Sequence, residues 1–556
     1  MREYETVSAE PTLAEGSTRT AIDVRRFGWI RPLAGDYAYN FGHVAPLYAG
    51  DPTSRQAWAD TIERVRLHAR PRGAVSAMLD AQLARRGAPP AARDAVARLT
   101  NPQTVAILTG QQAGVFGGPL FTLLKAVTAL KLAERTAREH QTDVVVIFWV
   151  DAEDHDWNEI ASCTVLDPTF QAKTVTVPAP EGAGERPVAS LTLDGGVAQT
   201  LDELAAALGQ TEFTDNLLSS LRAAYHSGSG VVDAFARWLE AILGPRGLVV
   251  FDASDPAAKP LVADVFKREL RQPGKTAALA AAAGEALAKR GHQPQVTPQP
   301  DSIALFHLDG ARRLIRRQGD QFAAGDSTFT LDVLAKQLES EPARFSPNVL
   351  LRPIVQDTLF PTICYVGGPA EVAYLGQLRQ VYESFGVPMP LIHPRASATL
   401  VDSATARFIA RYDVAVEDLQ KQDESALNRL LESQIPASVE RAIKEVEEAV
   451  RATMARVIDA MPVVDPTLAG AAKTTLGKME HDLQSLQGKM IQAAKRRDET
   501  LRRQFMRAQA QIFPLGHPQE RTLGVVYFLN RYGPALIDRM FTELPLELGQ
   551  HWVITV

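Results

Sequence analysis

The chain has 556 residues, 46% of them apolar and 22% charged, with a formal net charge of −6. That length can bury a sizeable core without metal or disulfide staples. The balance is that of an ordinary soluble globular protein, which excludes global disorder, collagen-like repeats and a chain built as a whole to bind polyanions. Two cysteines, Cys163 and Cys364, and no CxxC exclude a Cys-rich zinc site and leave no disulfide framework. Residues 1–25 are polar and lack the apolar stretch of a signal peptide, and no apolar run approaches the roughly 20 residues of a membrane span. A reducing, cytoplasmic setting and no membrane partner are expected.

In chain order, residues 1–20 read as a flexible tail. Trp58 to Leu99 has helical spacing interrupted at Pro71 and at Pro89-Pro90, which predicts at least two helices. Val105–Leu108 reads as a strand, followed by a glycine-rich turn up to Gly118 and a helix over Phe121–His140 opened by Pro119. Val144–Val150 is a continuous apolar run, as in a strand buried on both faces. Leu248–Phe251, Val349–Leu351 and Met389–Ile392 read as further strands of one doubly wound parallel sheet. Residues 161–344 are less regular and read as inserted connecting segments, with a strand or hairpin over Ser302–Gln318. The α/β core is thus expected over 21–412.

From 413 to 511, glycine and aromatic residues become scarce. Val439, Ile443, Val446, Val450 and Val457, then Leu476, Met479, Leu483, Leu486, Met490, Ala493 and Arg497, follow a heptad seam broken at Met461–Pro466. An antiparallel coiled-coil hairpin is expected, with arms of roughly 40 residues, about 60 Å each at the helical rise. Residues 512–556 return to mixed composition and to the core.

Three constellations carry the chemistry. Thr109, Gly110, Gln111, Gln112, Gly114, Gly117 and Gly118 close the first core strand ahead of a helix, where backbone N–H groups and the helix dipole suit an anion. The stretch has no GK[ST] and no GxGxxG, so it is neither a P-loop nor the usual dinucleotide turn, and a tight turn needing its glycines explains it almost as well. Asp151-Ala-Glu-Asp-His-Asp156 puts four carboxylates and an imidazole at a strand end, where open α/β sheets bind ligands. Glu153, Asp154, His155 and Asp156 are the candidate catalytic residues, set against helix capping by a single Asp. The third constellation offers Arg352 for a carboxylate or phosphate, with Gln356, Tyr365, Gly367, Gly368, Glu371 and Tyr374 beside it. His393 and Arg395 follow the last strand, and His517-Pro-Gln-Glu-Arg521 offers another cation. No metal ligand is assigned and the metal requirement stays open.

In order along the chain, LTGQQAGVFGGPLFTLLKAVTALKLA, FWVDAEDHDWNEI, RPIVQDTLFPTICYVGGPAEVAYL, PMPLIHPRAS and HPQERTLGVVYFLNRYGP resemble the bacillithiol-biosynthesis cysteine ligases (BshC). The resemblance implies a Rossmann-like core related to class I aminoacyl-tRNA synthetases and nucleotidylyltransferases. It also implies a coiled coil that drives homodimerisation and an association with nucleotides, ATP being a candidate. The implied activity is the last step of bacillithiol assembly, joining cysteine through its carboxyl group to the amine of glucosaminyl malate. No HIGH-type tetrad and no KMSKS stretch are present, so an adenylate mechanism does not transfer residue by residue. The alternatives are a nucleotidyltransferase on the same core and a non-catalytic coiled-coil scaffold or nucleic-acid-binding module. A scaffold has little use for the acidic cluster, and a nucleic-acid binder wants a clearer basic face.

Overall fold

The computed structural model describes residues 19–433, 437–465, 467–497 and 499–556. Five parallel strands form the central sheet: β1 (Val105–Gln111), β2 (Val144–Val150), β3 (Leu248–Asp252), β4 (Thr362–Gly367) and β5 (Leu391–Pro394). Their order is β3-β2-β1-β4-β5, so the winding reverses between β1 and β4. This is the doubly wound arrangement, with its ligand crevice at the carboxyl ends of the two strands that flank the reversal. Along β2, Val144, Val146, Phe148 and Val150 pack into one apolar core, and Val145, Ile147 and Trp149 into another. Both faces are covered, which is why the run is continuously apolar rather than alternating.

β1 extends to Gln111, so Thr109, Gly110 and Gln111 are strand residues and the turn begins at Gln112. Helix α1 (Leu120–His140) follows, with Pro119 as its N-cap. Val349–Leu351 is not a strand. The Asn348 side chain accepts from the backbone N–H groups of Leu350 (2.9 Å) and Leu351 (3.2 Å), which turns the chain into helix α2 (Arg352–Leu359). The sheet strand comes after that helix, as β4, and leads into helix α3 (Pro369–Leu375).

Because β3 lies inside 161–344, the inserted segments fall into two groups, one on either side of it. The first holds the hairpin Ser162–Leu166/Ala172–Thr176 and three helices. The second holds three helices and a five-stranded antiparallel sheet in which Ser302–Leu308 pairs with Arg312–Gln318. At the amino end, Arg19 and Thr20 already belong to a strand, Arg19–Asp23, antiparallel to Gln550–Thr555. The tail expected over residues 1–18 lies outside the described residues.

The chain divides into two units, one over residues 18–400 with 519–554, the other over residues 401–518. The second is wider at both ends than the 413–511 stretch marked by composition. In it, α4 (Ala437–Ala460) and α5 (Leu468–Arg497) fold back on one another through a turn at Met461–Val463. The described arms run over 24 and 30 residues, with helix again over Glu499–Ile512 after the second and over Ser425–Ser433 before the first. Arg451 donates to Glu480 across the pair at 2.7 Å. Val439, Ile443, Val450, Leu476, Leu483 and Met490 are half-buried, whereas Val446, Met479 and Leu486 are exposed. The Arg497 side chain lies outside the described residues. Among the described residues no helix is long and apolar enough to cross a membrane.

Candidate functional site

A cavity of about 650 Å³ opens at the carboxyl ends of β1, β2 and β4, at the reversal of strand order. Its floor is Gly110, Gln111, Trp149 and Tyr365 from the strands. Lys125 reaches it from α1 and donates to the Gly110 carbonyl at 2.8 Å and to Gln111 Oε1 at 3.0 Å. Its ammonium pairs with Glu371 of α3. Glu371 accepts further from the Tyr365 hydroxyl (2.6 Å) and the Gly368 N–H (2.8 Å). Burial alone would raise the Glu371 carboxyl, but Lys125 and these donors outweigh it and hold it below the usual range. Burial pushes the Lys125 ammonium down, against the attraction of Glu371.

Arg352 stands at the mouth of α2, over the rings of Trp149 and Tyr365 at 5.8 and 5.6 Å. It donates to Gln356 Oε1 (3.1 Å) and to the Tyr374 hydroxyl (2.6 Å). Two of the five N–H donors of a guanidinium are used in these bonds, and others remain to meet a ligand. Asp151, just beyond β2, lines the same space, and burial raises its carboxyl above the ordinary aspartate value although Arg352 pulls it back. Arg521 also lines the cavity and makes no ion pair among the described residues. Arg312 enters from the inserted sheet, 3.6 Å from Asp154. The Trp149 indole N–H has no hydrogen-bond partner among the described residues.

The acidic hexapeptide splits by direction. Asp154 lines the cavity and accepts from Gln112 Nε2 at 2.8 Å. Glu153 turns inward to an ion pair with Lys259 and a hydrogen bond from Ser346 (3.1 Å), so it is a buried structural group. Asp156 is exposed and N-caps the short helix Trp157–Ile160 by accepting from the Glu159 N–H. His155 is part-exposed and does not line the cavity.

The glycine-rich stretch also divides. Gly110, Gln111 and Gln112 line the cavity, whereas Thr109, Gly114, Gly117 and Gly118 do not. The Thr109 hydroxyl is buried and donates to the Val366 carbonyl. Gly117 has φ +91°, and a Cβ there would lie 1.9 Å from the Trp238 ring. The N–H of Gly114 is spent on Gln112 O, that of Gly118 on Val115 O, and that of Gly117 faces the Tyr225 hydroxyl. These three glycine N–H groups are used internally and are not offered to a ligand.

In the third constellation, Tyr365, Gly368, Glu371 and Tyr374 line the cavity with Arg352. Gln356 is buried behind Arg352 and steadies it, and Gly367 is a buried strand residue. His393 is buried beside the Pro394 carbonyl and is pushed down to about 4 by burial. Arg395 lines the cavity while donating to both oxygens of Glu520, at 2.8 and 2.6 Å. Lys125 and Arg312 line the cavity without any expectation from sequence, whereas Asp151 and Arg521 lie in stretches the sequence marks without assigning them a catalytic role. A lone lysine in the apolar helix LFTLLKAVTALKLA was the available signal for Lys125.

The sequence description "Bacillithiol biosynthesis BshC, N-terminal Rossmann-like domain" matches residues 20–396, and "Bacillithiol biosynthesis BshC, C-terminal coiled-coil domain" matches residues 398–556. A Salinibacter ruber protein named "Putative cysteine ligase BshC" is 34% identical over 525 residues, covering 94% of this chain and 95% of its own. Proteins of the same name from Koribacter versatilis (32%, covering 94% and 97%) and Symbiobacterium thermophilum (30%, covering 94% and 96%) are also similar. Among solved structures, an arginyl-tRNA synthetase-like chain from Campylobacter jejuni aligns at 12% identity and a TM-score of 0.21, over 81% of this chain and 97% of its own, a score too low to relate the folds. With both of its parts matched in order and relatives aligned along nearly their whole length, the chain belongs to the bacillithiol biosynthesis BshC family.

Proposed function

We propose that the cavity joins the carboxyl group of L-cysteine to the amine of glucosaminyl malate, forming an amide, as a ligase. The observation that carries this reading is the meeting in one cavity of a carboxylate raised by burial, Asp151, with Arg352 and the unpaired guanidinium of Arg521. A sugar amine must be neutral to attack, and a carboxylate of raised pKa can take its proton. Malate carries two carboxylates, which match two guanidinium groups. Bond formation runs from the amine nitrogen to the cysteine acyl carbon, the leaving group departs from that carbon, and the ammonium proton passes to Asp151. Asp154, held by Gln112, keeps a second carboxylate beside the amine.

A free carboxylate does not condense with an amine at useful rates, so the cysteine carboxyl is first activated as an acyl-phosphate or acyl-adenylate, and that phosphate or AMP is the group that leaves. Mass spectrometry of purified protein with cysteine and glucosaminyl malate, with and without ATP, tests the reading. The expected product is the amide of both, lost in Asp151→Asn. Pyrophosphate release without any need for cysteine would instead favour nucleotidyl transfer.

We also infer a homodimer through the helical hairpin, supported by its exposed Val446, Met479 and Leu486. Removing residues 439–503 with a short bridge is expected to give a monomer by light scattering. A deletion that stays dimeric moves the interface to the α/β unit.

A further inference from the structure

On the α/β unit, outside the cavity, Asp36, His43 and His292 converge from three places in the chain. Asp36 lies on the helix Pro32–Tyr39, His43 on the short helix Phe41–Val44, and His292 follows the helix Lys275–Lys289. Their ligand atoms all lie within 4.8 Å of one another. His43 Nδ1 is 2.7 Å from Asp36 Oδ2, and His292 Nε2 is 3.0 Å from the same oxygen. His292 is 5% exposed; its Nε2 faces Asp36 without hydrogen-bond geometry, and its Nδ1 has no hydrogen-bond partner among the described residues. A buried ring nitrogen left so poorly satisfied is costly unless something else meets it. The nearby Arg290 is held off by the His43 carbonyl (3.1 Å) and the Ala286 carbonyl (2.8 Å).

We propose that Asp36 Oδ2, His43 Nδ1 and His292 Nε2 bind a zinc-class divalent cation. Two imidazoles and one carboxylate suit such an ion, whose tetrahedral donors sit about 3.3 Å apart for bonds of about 2.0 Å. The two separations from Asp36 Oδ2, 2.7 and 3.0 Å, need only a small opening. His43 is 40% exposed, so the fourth position faces water. The ion would tie the segment after residue 289 to the amino-terminal helices, so its role is a structural clip and its readout is stability rather than catalysis.

The test uses the untagged full-length chain, stripped with a chelator and titrated with zinc alone by calorimetry, with bound metal counted by elemental analysis. One zinc per chain and a raised thermal midpoint are expected. Cobalt in place of zinc should give the visible bands of a tetrahedral site. His43→Ala and Asp36→Asn alter accessible groups and should fold, as circular dichroism checks. Each should weaken zinc by roughly tenfold or more and abolish the rise in midpoint. No stoichiometric uptake by the wild-type chain, or unchanged uptake in both variants, overturns the assignment.

Discussion

Lys125, from the helix after β1, and Glu371, from the helix after β4, form an ion pair across the point where the strand order reverses. The pair joins the two halves of the sheet at the cavity wall, and Tyr365 and Gly368 complete the carboxylate's hydrogen bonds. Satisfied on this scale, a buried pair positions its neighbours more than it adds stability.

Lys125→Met leaves the half-buried Glu371 without its cation. Loss of one partner of a fully buried pair costs about 3–5 kcal/mol, and with Glu371 open to the cavity urea unfolding should show a loss at or below the low end of that range. Lys125→Met with Glu371→Gln should lose less than the two single changes added, because neither charge is then stranded. Additive losses would mean that the groups do not act as a pair.

Asp151 must be ionised to accept a proton. Its carboxyl is raised, so kcat/KM should fall on an acidic limb lying above the ordinary aspartate value of about 3.9. Arg352 lowers the Asp151 pKa, so Arg352→Gln should move that limb to higher pH. Asp151→Asn should reduce kcat by about 10²-fold or more. Asp156→Ala should leave kcat nearly unchanged and cost about 1 kcal/mol of stability, as a lost helix cap does. A limb that ignores Arg352 would remove Asp151 from the role of base.

Arg352→Ala and Arg521→Ala should each weaken glucosaminyl malate by about 1.5–3 kcal/mol in calorimetry, the worth of a hydrogen bond to a charged group. Glucosamine lacking malate should bind the variants as it binds the parent. Arg352→Lys should recover only part, since an ammonium lacks the planar fork. Equal weakening of both ligands would show that these arginines do not read malate.

Stability should fall with acidification in two stages. His393 and His551 are both pushed down to about 4, burial being the main cause. Their folded pKa values are depressed, so the neutral rings contribute fully above about 6.5, and that contribution is lost as the pH falls toward 4. Burial alone would raise Glu520, but Arg395 outweighs it and brings the carboxyl to about 2. Its contribution is present above about 4.3 and is lost as the pH falls through 2. Thermal midpoints measured across that range check both stages, and Glu520→Gln should flatten the second.

The sheet was legible where its chemistry is unambiguous. β1 and β2 announce themselves because strands covered on both faces need unbroken apolar runs. Val349–Leu351 shows the limit, since three apolar residues carry no period and Asn348 turns them into the approach to a helix. Arg352 nevertheless reaches the cavity with Gly110, from a helix start rather than from a strand end. Within Asp151–Asp156, composition marks the place but not the direction of each side chain. Only the surrounding fold sends Asp151 and Asp154 to the cavity, Glu153 to Lys259 and Asp156 to a helix cap. The glycines divide for a related reason: Gly110 lines the cavity, whereas Gly117 permits a close approach to Trp238.

The pairing of Arg19–Asp23 with Gln550–Thr555 sets an order of assembly. During synthesis at about 5–20 residues per second, the amino-terminal strand emerges roughly half a minute or more before its partner. The five strands of the central sheet all lie before residue 395 and can pair in that interval. Arg19 must wait for Ile554, so the α/β unit is closed only once the Gln550–Thr555 segment has been made, and until then the early strand has an open edge that the cell must keep from finding another partner.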